Sequence, residues 1–171
     1  WGEPTLGGDL SSQSLPGAAN MGLDWGDAPD SYSTTRSQNG PRHFATGPLM
    51  GSKRDYETNG QPGANANVDD TSGEDDEDGA TFPNEIIVGL PSSFNVTASA
   101  SGILQAWIDF NGDGDFADSG EQIATDVALT SGENTISFAV PADAKAGYTY
   151  TRMRFSSASG LSYTGLASDG E

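Results

Sequence analysis

Seven carboxylates stand within ten positions, from Asp69 to Asp78. A chain that crowds charge so tightly can fold there only if something offsets the repulsion. Two carboxylates about 4 Å apart repel by roughly 1 kcal/mol in water and about 4 kcal/mol at an effective dielectric of 20. The chain as a whole carries 25 acids against 7 bases, a net charge of −18 over 171 residues. That surface disfavours nucleic acid as a partner and direct membrane insertion. Because the acids cluster rather than spread, bound cations are the expected means of holding them together.

The donor set restricts the cation. There is no cysteine and one histidine, His43, so a zinc site built on sulfur or nitrogen is excluded. Carboxylate and carbonyl oxygens select calcium or magnesium, and crowded acids in irregular loops favour calcium, which accepts loose geometry. Several calcium ions are expected.

The clearest loop is Asp109-Phe-Asn111-Gly-Asp113-Gly-Asp115-Phe-Ala-Asp118-Ser-Gly-Glu121. Oxygen ligands stand at positions one, three, five and seven with glycine at six, as at the start of a calcium loop. Two features depart from an EF-hand. The closing acid, Glu121, falls one residue late, and the flanks read as strands. The same Asn-Gly and Asp-Gly steps also suit an acidic hairpin turn. The second cluster is Asp69, Asp70, Glu74, Asp75, Asp76, Glu77 and Asp78, with Asp55 and Glu57 nearby. A charge run of this kind is also what a solvated loop looks like. The third is Asp24, Asp27 and Asp30 around Pro29. Spacing alone does not separate an ion site from a turn whose Asp side chains bond backbone N–H groups. Asp169 and Glu171 close the sequence.

Hydrophobic residues make up 34% and are concentrated after residue 80, where they alternate. Alternation is the signature of half-buried strands. Strands are predicted at 94–98, 103–109, 122–129, 135–140 and 147–155, with turns at Ser131-Gly132 and Pro141 and room for one helical turn at 141–146. The spacing predicts an all-β fold, an antiparallel β-sandwich with long calcium-organised loops. Residues 1–22, rich in Gly, Ser and Pro, read as a linker or loosely attached segment. Residues 23–171 read as one domain, loop-rich over 23–80 and strand-rich over 81–171. With no apolar leader at Trp1 and no bilayer-length apolar stretch, the chain reads as a fragment of a longer one.

Taken in order, several motifs resemble the GEVED domain. They are Asp24-Trp-Gly-Asp-Ala-Pro-Asp-Ser-Tyr32, Gly40-Pro-Arg-His43, Asp55-Tyr-Glu57, Asp69-Asp70, Asp75-Asp-Glu-Asp-Gly79, Ala106-Trp-Ile-Asp-Phe-Asn-Gly-Asp-Gly-Asp-Phe116 and Thr164-Gly-Leu-Ala-Ser-Asp-Gly-Glu171. The resemblance implies a calcium-rich β-sandwich from a secreted or surface-anchored bacterial protein. The chain is also similar to the peptide-binding domain of RTX-type adhesins, which implies capture of a free peptide C-terminus through a bound calcium. Members of the family continue past Gly170-Glu171 into Val-Glu-Asp, so a final strand is expected to be cut short here.

The expected function is therefore calcium-dependent ligand binding by a monomeric module of a bacterial surface adhesin. The partner would be a peptide or protein on another cell surface, with Tyr32, Arg42 and His43 contributing to the ligand site. A calcium-dependent carbohydrate module, using Trp25, Tyr32, Phe44 and Tyr56 as a sugar platform, and a calcium-stiffened spacer are the alternatives. Catalysis is not expected. His43 has no nucleophile marked by a motif, and reads as a structural hydrogen-bonding group beside Arg42. No two of the 25 acids are singled out as a hydrolytic pair.

Overall fold

The computed structural model describes residues 22–54, 56–68 and 77–171. Among the described residues nine strands run in chain order: β1 Leu23–Trp25, β2 Arg42–Phe44, β3 Ala80–Thr81, β4 Pro91–Ala98, β5 Gly102–Ile108, β6 Gln122–Leu129, β7 Gly132–Ala139, β8 Thr151–Ser156 and β9 Leu166–Ala167. The alternation in the second half of the chain forms a sandwich. One sheet has the order β3-β4-β7 and the other β6-β5-β8. β4 and β7 pair antiparallel from Pro91↔Ala139 to Ala98↔Gly132, which turns Phe94, Val96, Ile136 and Phe138 to one side. Leu104, Ala106 and Ile108 of β5 and Phe155 of β8 meet them from the facing sheet. Phe94, Val96, Leu104, Ile108 and Phe155 are completely buried, each contributing about 1.5–3 kcal/mol relative to exposure.

β5 is buried on both faces. Leu104, Ala106 and Ile108 point into the sandwich, while Gln105 and Trp107 point the other way and are equally covered. On β8 the outward positions are Arg152 and Arg154, two residues apart and so on one face, and both are buried. A third layer covers this outer face. It is built from residues 22–54 and 56–68, of which 49–51 bond the edge of β4 instead, with a small sheet of order β1-β2-β9. β1 and β2 pair antiparallel, but β2 and β9 run parallel. The last segment lies beside β2 at β9 and then reaches the free edge of β8, where Phe155 and Glu171 exchange backbone hydrogen bonds of 2.7 and 3.0 Å. Among the described residues no helix is long and apolar enough to cross a membrane.

Three strands start three or four residues away from the alternation. β4 starts at Pro91 instead of residue 94. β7 starts at Gly132 instead of residue 135, because the turn after β6 leads straight into the ladder with β4. β8 starts at Thr151 instead of residue 147. Before it, Thr149 and Tyr150 spend their hydroxyls on the carbonyls of Asp109 and Ala64, and Tyr148 is fully exposed. Those side-chain bonds take the segment out of the sheet. Residues 141–144 form a single turn, closed by Ala144 N–H on the Pro141 carbonyl at 3.2 Å.

Candidate metal centre

The loop between β5 and β6 begins at Asp109, where the buried strand β5 ends. Asp109 is 1% exposed, and three donors hold its carboxylate. Gly112 N–H bonds Oδ1 at 2.5 Å, while Gly114 N–H at 3.0 Å and the Tyr32 hydroxyl at 2.7 Å bond Oδ2. The two glycines have φ of +67° and +96°, the left-handed region that side-chain-bearing residues rarely adopt. They curl the backbone so that its N–H groups face inward. The side chains repeat this pattern along the loop: Asn111 accepts from Asp113 N–H at 2.8 Å, Asp113 from Asp115 N–H at 3.3 Å, and Asp115 from Ala117 N–H at 2.8 Å.

At the far end Glu121 is 2% exposed. One oxygen, Oε2, accepts from Asp118 N–H at 3.2 Å. The other, Oε1, is buried and accepts no hydrogen bond from any described residue. Burial pushes the Glu121 carboxyl up from its ordinary range, and the charges of Asp109, Asp118 and Asp113 push the same way, against the Asp118 N–H. A buried carboxylate oxygen without a donor is costly unless a cation meets it. Asp109, Asp113 and Glu121 each bring an oxygen to within 4.8 Å of the others. Two of these acids are buried and Asp113 is exposed, so the centre is walled on the protein side and faces solvent on the other. A second group, Asp113, Asp115 and Asp118, is exposed throughout. An all-oxygen donor set with one orphaned buried oxygen fits a hard cation.

The remaining acids from the sequence divide by place. Asp78 is exposed and bonds the Ser52 backbone and hydroxyl, which hold its carboxyl below the usual range. Asp169 accepts from Ser156 and Ser157. Burial opposes its ionisation, and those bonds outweigh burial and hold it low. Asp27 accepts from Val68 N–H at 3.0 Å, Glu57 from Trp25 N–H at 3.0 Å, and Glu171 from Met50 N–H at 2.7 Å. Arg54 Nε lies 4.0 Å from Asp24 and 3.8 Å from Glu171. Asp30 is exposed at the start of a short 3-10 turn. Asp55, Asp69, Asp70, Asp75 and Asp76 lie outside the described residues, as does the side chain of Glu77. Of the sequence candidates, then, the geometry assembles Asp109, Asn111, Asp113, Asp115 and Glu121 in one loop and adds Asp118. Elsewhere Asp24 and Glu171 both lie beside Arg54, and Glu57 bonds the Trp25 backbone.

The three residues assigned to a ligand are placed as follows. Tyr32 is buried, with its hydroxyl on Asp109 and its ring 4.8 Å from that of Phe116. Burial and the Asp109 bond push its phenol well above the ordinary range. Arg42 is half-buried, bonds the Asn39 side chain and Gly40 carbonyl, and lies over the Trp25 ring at 5.2 Å. His43 is buried. Its Nε2 receives the Nε–H of Arg154 at 3.0 Å, so Nε2 carries no proton and Nδ1 donates to the Asp169 carbonyl at 2.7 Å. Burial and the Arg154 charge push the imidazole down to about 3.

Sequence reasoning missed the role of Arg152 and Arg154. Arg152 bonds the carbonyls of Tyr32 and Tyr163 and the Thr34 hydroxyl. Arg154 bonds His43 and the carbonyls of Ser162, Thr164, Arg42 and Gly165. Burial pushes both guanidiniums down to about 10, so they stay charged at neutral pH. Their signal was present: two arginines at alternate positions of a strand whose opposite face is apolar.

The fold and the loop together define an all-β sandwich module with a cluster of acids, at one end of its central strand, that could hold a metal ion. Residues 103–171, which run from β5 to the last residue and include the whole loop, match the model of the GEVED domain. No curated protein and no solved structure matches the chain.

Proposed function

We propose that the chain is a calcium-dependent ligand-binding module of a bacterial surface adhesin, taking up the free C-termini of peptides or proteins. The observation that carries this reading is the orphaned Oε1 of Glu121, buried beside Asp109 and Asp113. An ion held by Asp109 and Glu121 from beneath keeps coordination positions on the side of exposed Asp113. Calcium takes six to eight oxygens, and three carboxylates leave several positions to water or to a ligand. On a surface of net charge −18, a partly coordinated cation is the place where an anionic ligand meets attraction instead of repulsion. A peptide carboxylate supplies two oxygens there. A secreted or cell-surface setting accords with this reading, since calcium sites of millimolar to submillimolar affinity are typical of extracellular modules.

The test is calorimetry with short peptides in millimolar calcium. Free-acid peptides should bind, and their C-terminal amides and chelator-treated protein should not. Equal binding of acid and amide would refute C-terminal capture. A calcium-dependent melting shift with no ligand in peptide or glycan screens would favour the spacer.

A further inference from the structure

We infer that Tyr32 is a positioning residue for the cation centre, and that through it cation occupancy and docking of the third layer are thermodynamically coupled. This rests on the reading of the 109–121 loop as a calcium site.

Tyr32 belongs to the third layer and touches the loop at two points. Its hydroxyl donates to Oδ2 of Asp109 across 77 residues of sequence, and its ring packs on Phe116, in the middle of the loop. Ser31 stands so close to Gly114 that a Cβ there would lie 3.1 Å from its hydroxyl oxygen. Behind the ring, the Tyr32 carbonyl is fixed by Arg152 at 2.7 Å, and Arg152 also holds the Thr34 hydroxyl at 3.3 Å. Thr34 in turn bonds the Ala28 carbonyl at 2.7 Å. A continuous chain of contacts therefore runs from Asp109 through Tyr32 to the 28–34 turn.

Asp109 is the buried wall of the centre, and the Tyr32 hydroxyl is the donor to it that comes from outside its own loop. Groups that orient a metal-binding carboxylate typically change metal affinity by 10–100-fold when removed. Here the orienting group sits on a segment held by Arg152 and by the packing of Ala28 and Tyr32 on Trp107 and Phe116, so it orients Asp109 only while that segment is docked. Linkage then requires the converse: calcium in the loop favours the docked layer.

Calcium is titrated into the full chain by calorimetry for the wild type, Asp113→Asn, Tyr32→Phe and the double variant. The component lost in Asp113→Asn is the loop site. Tyr32→Phe keeps the ring and removes the hydroxyl, and should weaken that component about tenfold or more. In the double variant no further loss should appear. Hydrogen exchange of amides 30–34 provides the second readout. Calcium should slow it in the wild type, and neither single variant should show that slowing. A purely structural Tyr32 would lower stability equally in calcium and chelator and leave the loop affinity unchanged, which overturns the inference. Calcium protection of amides 30–34 that survives Asp113→Asn overturns it as well, without relying on any change at Tyr32. A wild type with no component sensitive to Asp113→Asn refutes the loop as a calcium site and takes the coupling with it.

Discussion

Arg154 of the sandwich gives its Nε–H to Nε2 of His43 in the third layer at 3.0 Å. A permanently charged donor thus fixes the only histidine of the chain as the neutral Nδ1–H tautomer. Protonating Nε2 would set two positive groups face to face in a buried site.

That relationship has a pH consequence. The His43 pKa falls from an ordinary 6.5 to about 3 on folding, so between those values the unfolded chain binds a proton that the folded chain does not. Stability is therefore full above pH 6.5 and is lost as pH falls, by up to about 1.4 kcal/mol per pH unit. Asp78 and Asp169, both held low, add losses of the same sign only near and below their ordinary pKa. Glu121, whose carboxyl is pushed up, acts with the opposite sign, so the imidazole is isolated by comparing variant with wild type in urea unfolding between pH 7 and 5. His43→Gln should flatten the slope in that window relative to wild type, and parallel slopes would refute the assignment.

Arg154 should be among the most costly positions to change. It is 1% exposed and makes five hydrogen bonds to neutral acceptors. Removing it strands the imidazole and four backbone carbonyls, those of Arg42, Ser162, Thr164 and Gly165. Arg154→Met is expected to lose about 3–5 kcal/mol in urea unfolding. Arg154→Lys recovers little of that, because an ammonium cannot span the same fork of acceptors. Trypsin should then cut sooner at Arg36, Arg42 and Arg54, which lie in the layer that Arg154 holds. An unchanged cleavage pattern would mean that the layer is held by other contacts.

How much of this was legible in the sequence depends on the kind of interaction. Phe94, Val96, Ile136 and Phe138 gave the sandwich away because alternate burial leaves an alternate pattern. The cation loop was readable because backbone curl demands glycine at fixed positions, here Gly112 and Gly114, between oxygen-bearing side chains. The third layer left no such trace. Its contacts are Tyr32 to Asp109, Arg152 to Tyr32 and Thr34, and Arg154 to His43. Each joins residues 77 or more positions apart, so no local spacing marks the pair. Cations seemed the necessary cement for the acidic half, yet part of the cement is two arginines from the apolar half.

Glu121→Gln should change stability in opposite directions with and without calcium. Without metal, the buried carboxylate is poorly solvated and its pKa is raised, so an uncharged isostere relieves it. With calcium, the carboxylate is the ligand whose orphaned oxygen the ion would meet. A site at 100 times its dissociation constant adds about 2.7 kcal/mol to folding. Scanning calorimetry should show the variant melting above wild type in chelator and below it in calcium. A variant that melts lower in both would mean that Glu121 serves packing rather than an ion.

Gly114→Ala tests the loop's backbone without touching a carboxylate. At φ +96° an L side chain is strained, at a cost of about 1–2 kcal/mol. The added Cβ would also press on Ser31, 3.1 Å from its hydroxyl oxygen and 3.3 Å from its Cβ. The Gly114 N–H that bonds Oδ2 of Asp109 at 3.0 Å would be drawn out of line. The variant should therefore lose stability and bind calcium more weakly, and it should loosen the 28–34 turn on the other side of the contact. Gly120→Ala is the control. It has nearly the same φ, +97°, but nothing within 4 Å of the added Cβ. It should show the strain alone, with the exchange of amides 30–34 unchanged. If both variants perturb those amides equally, backbone strain and not the Ser31 contact governs the response.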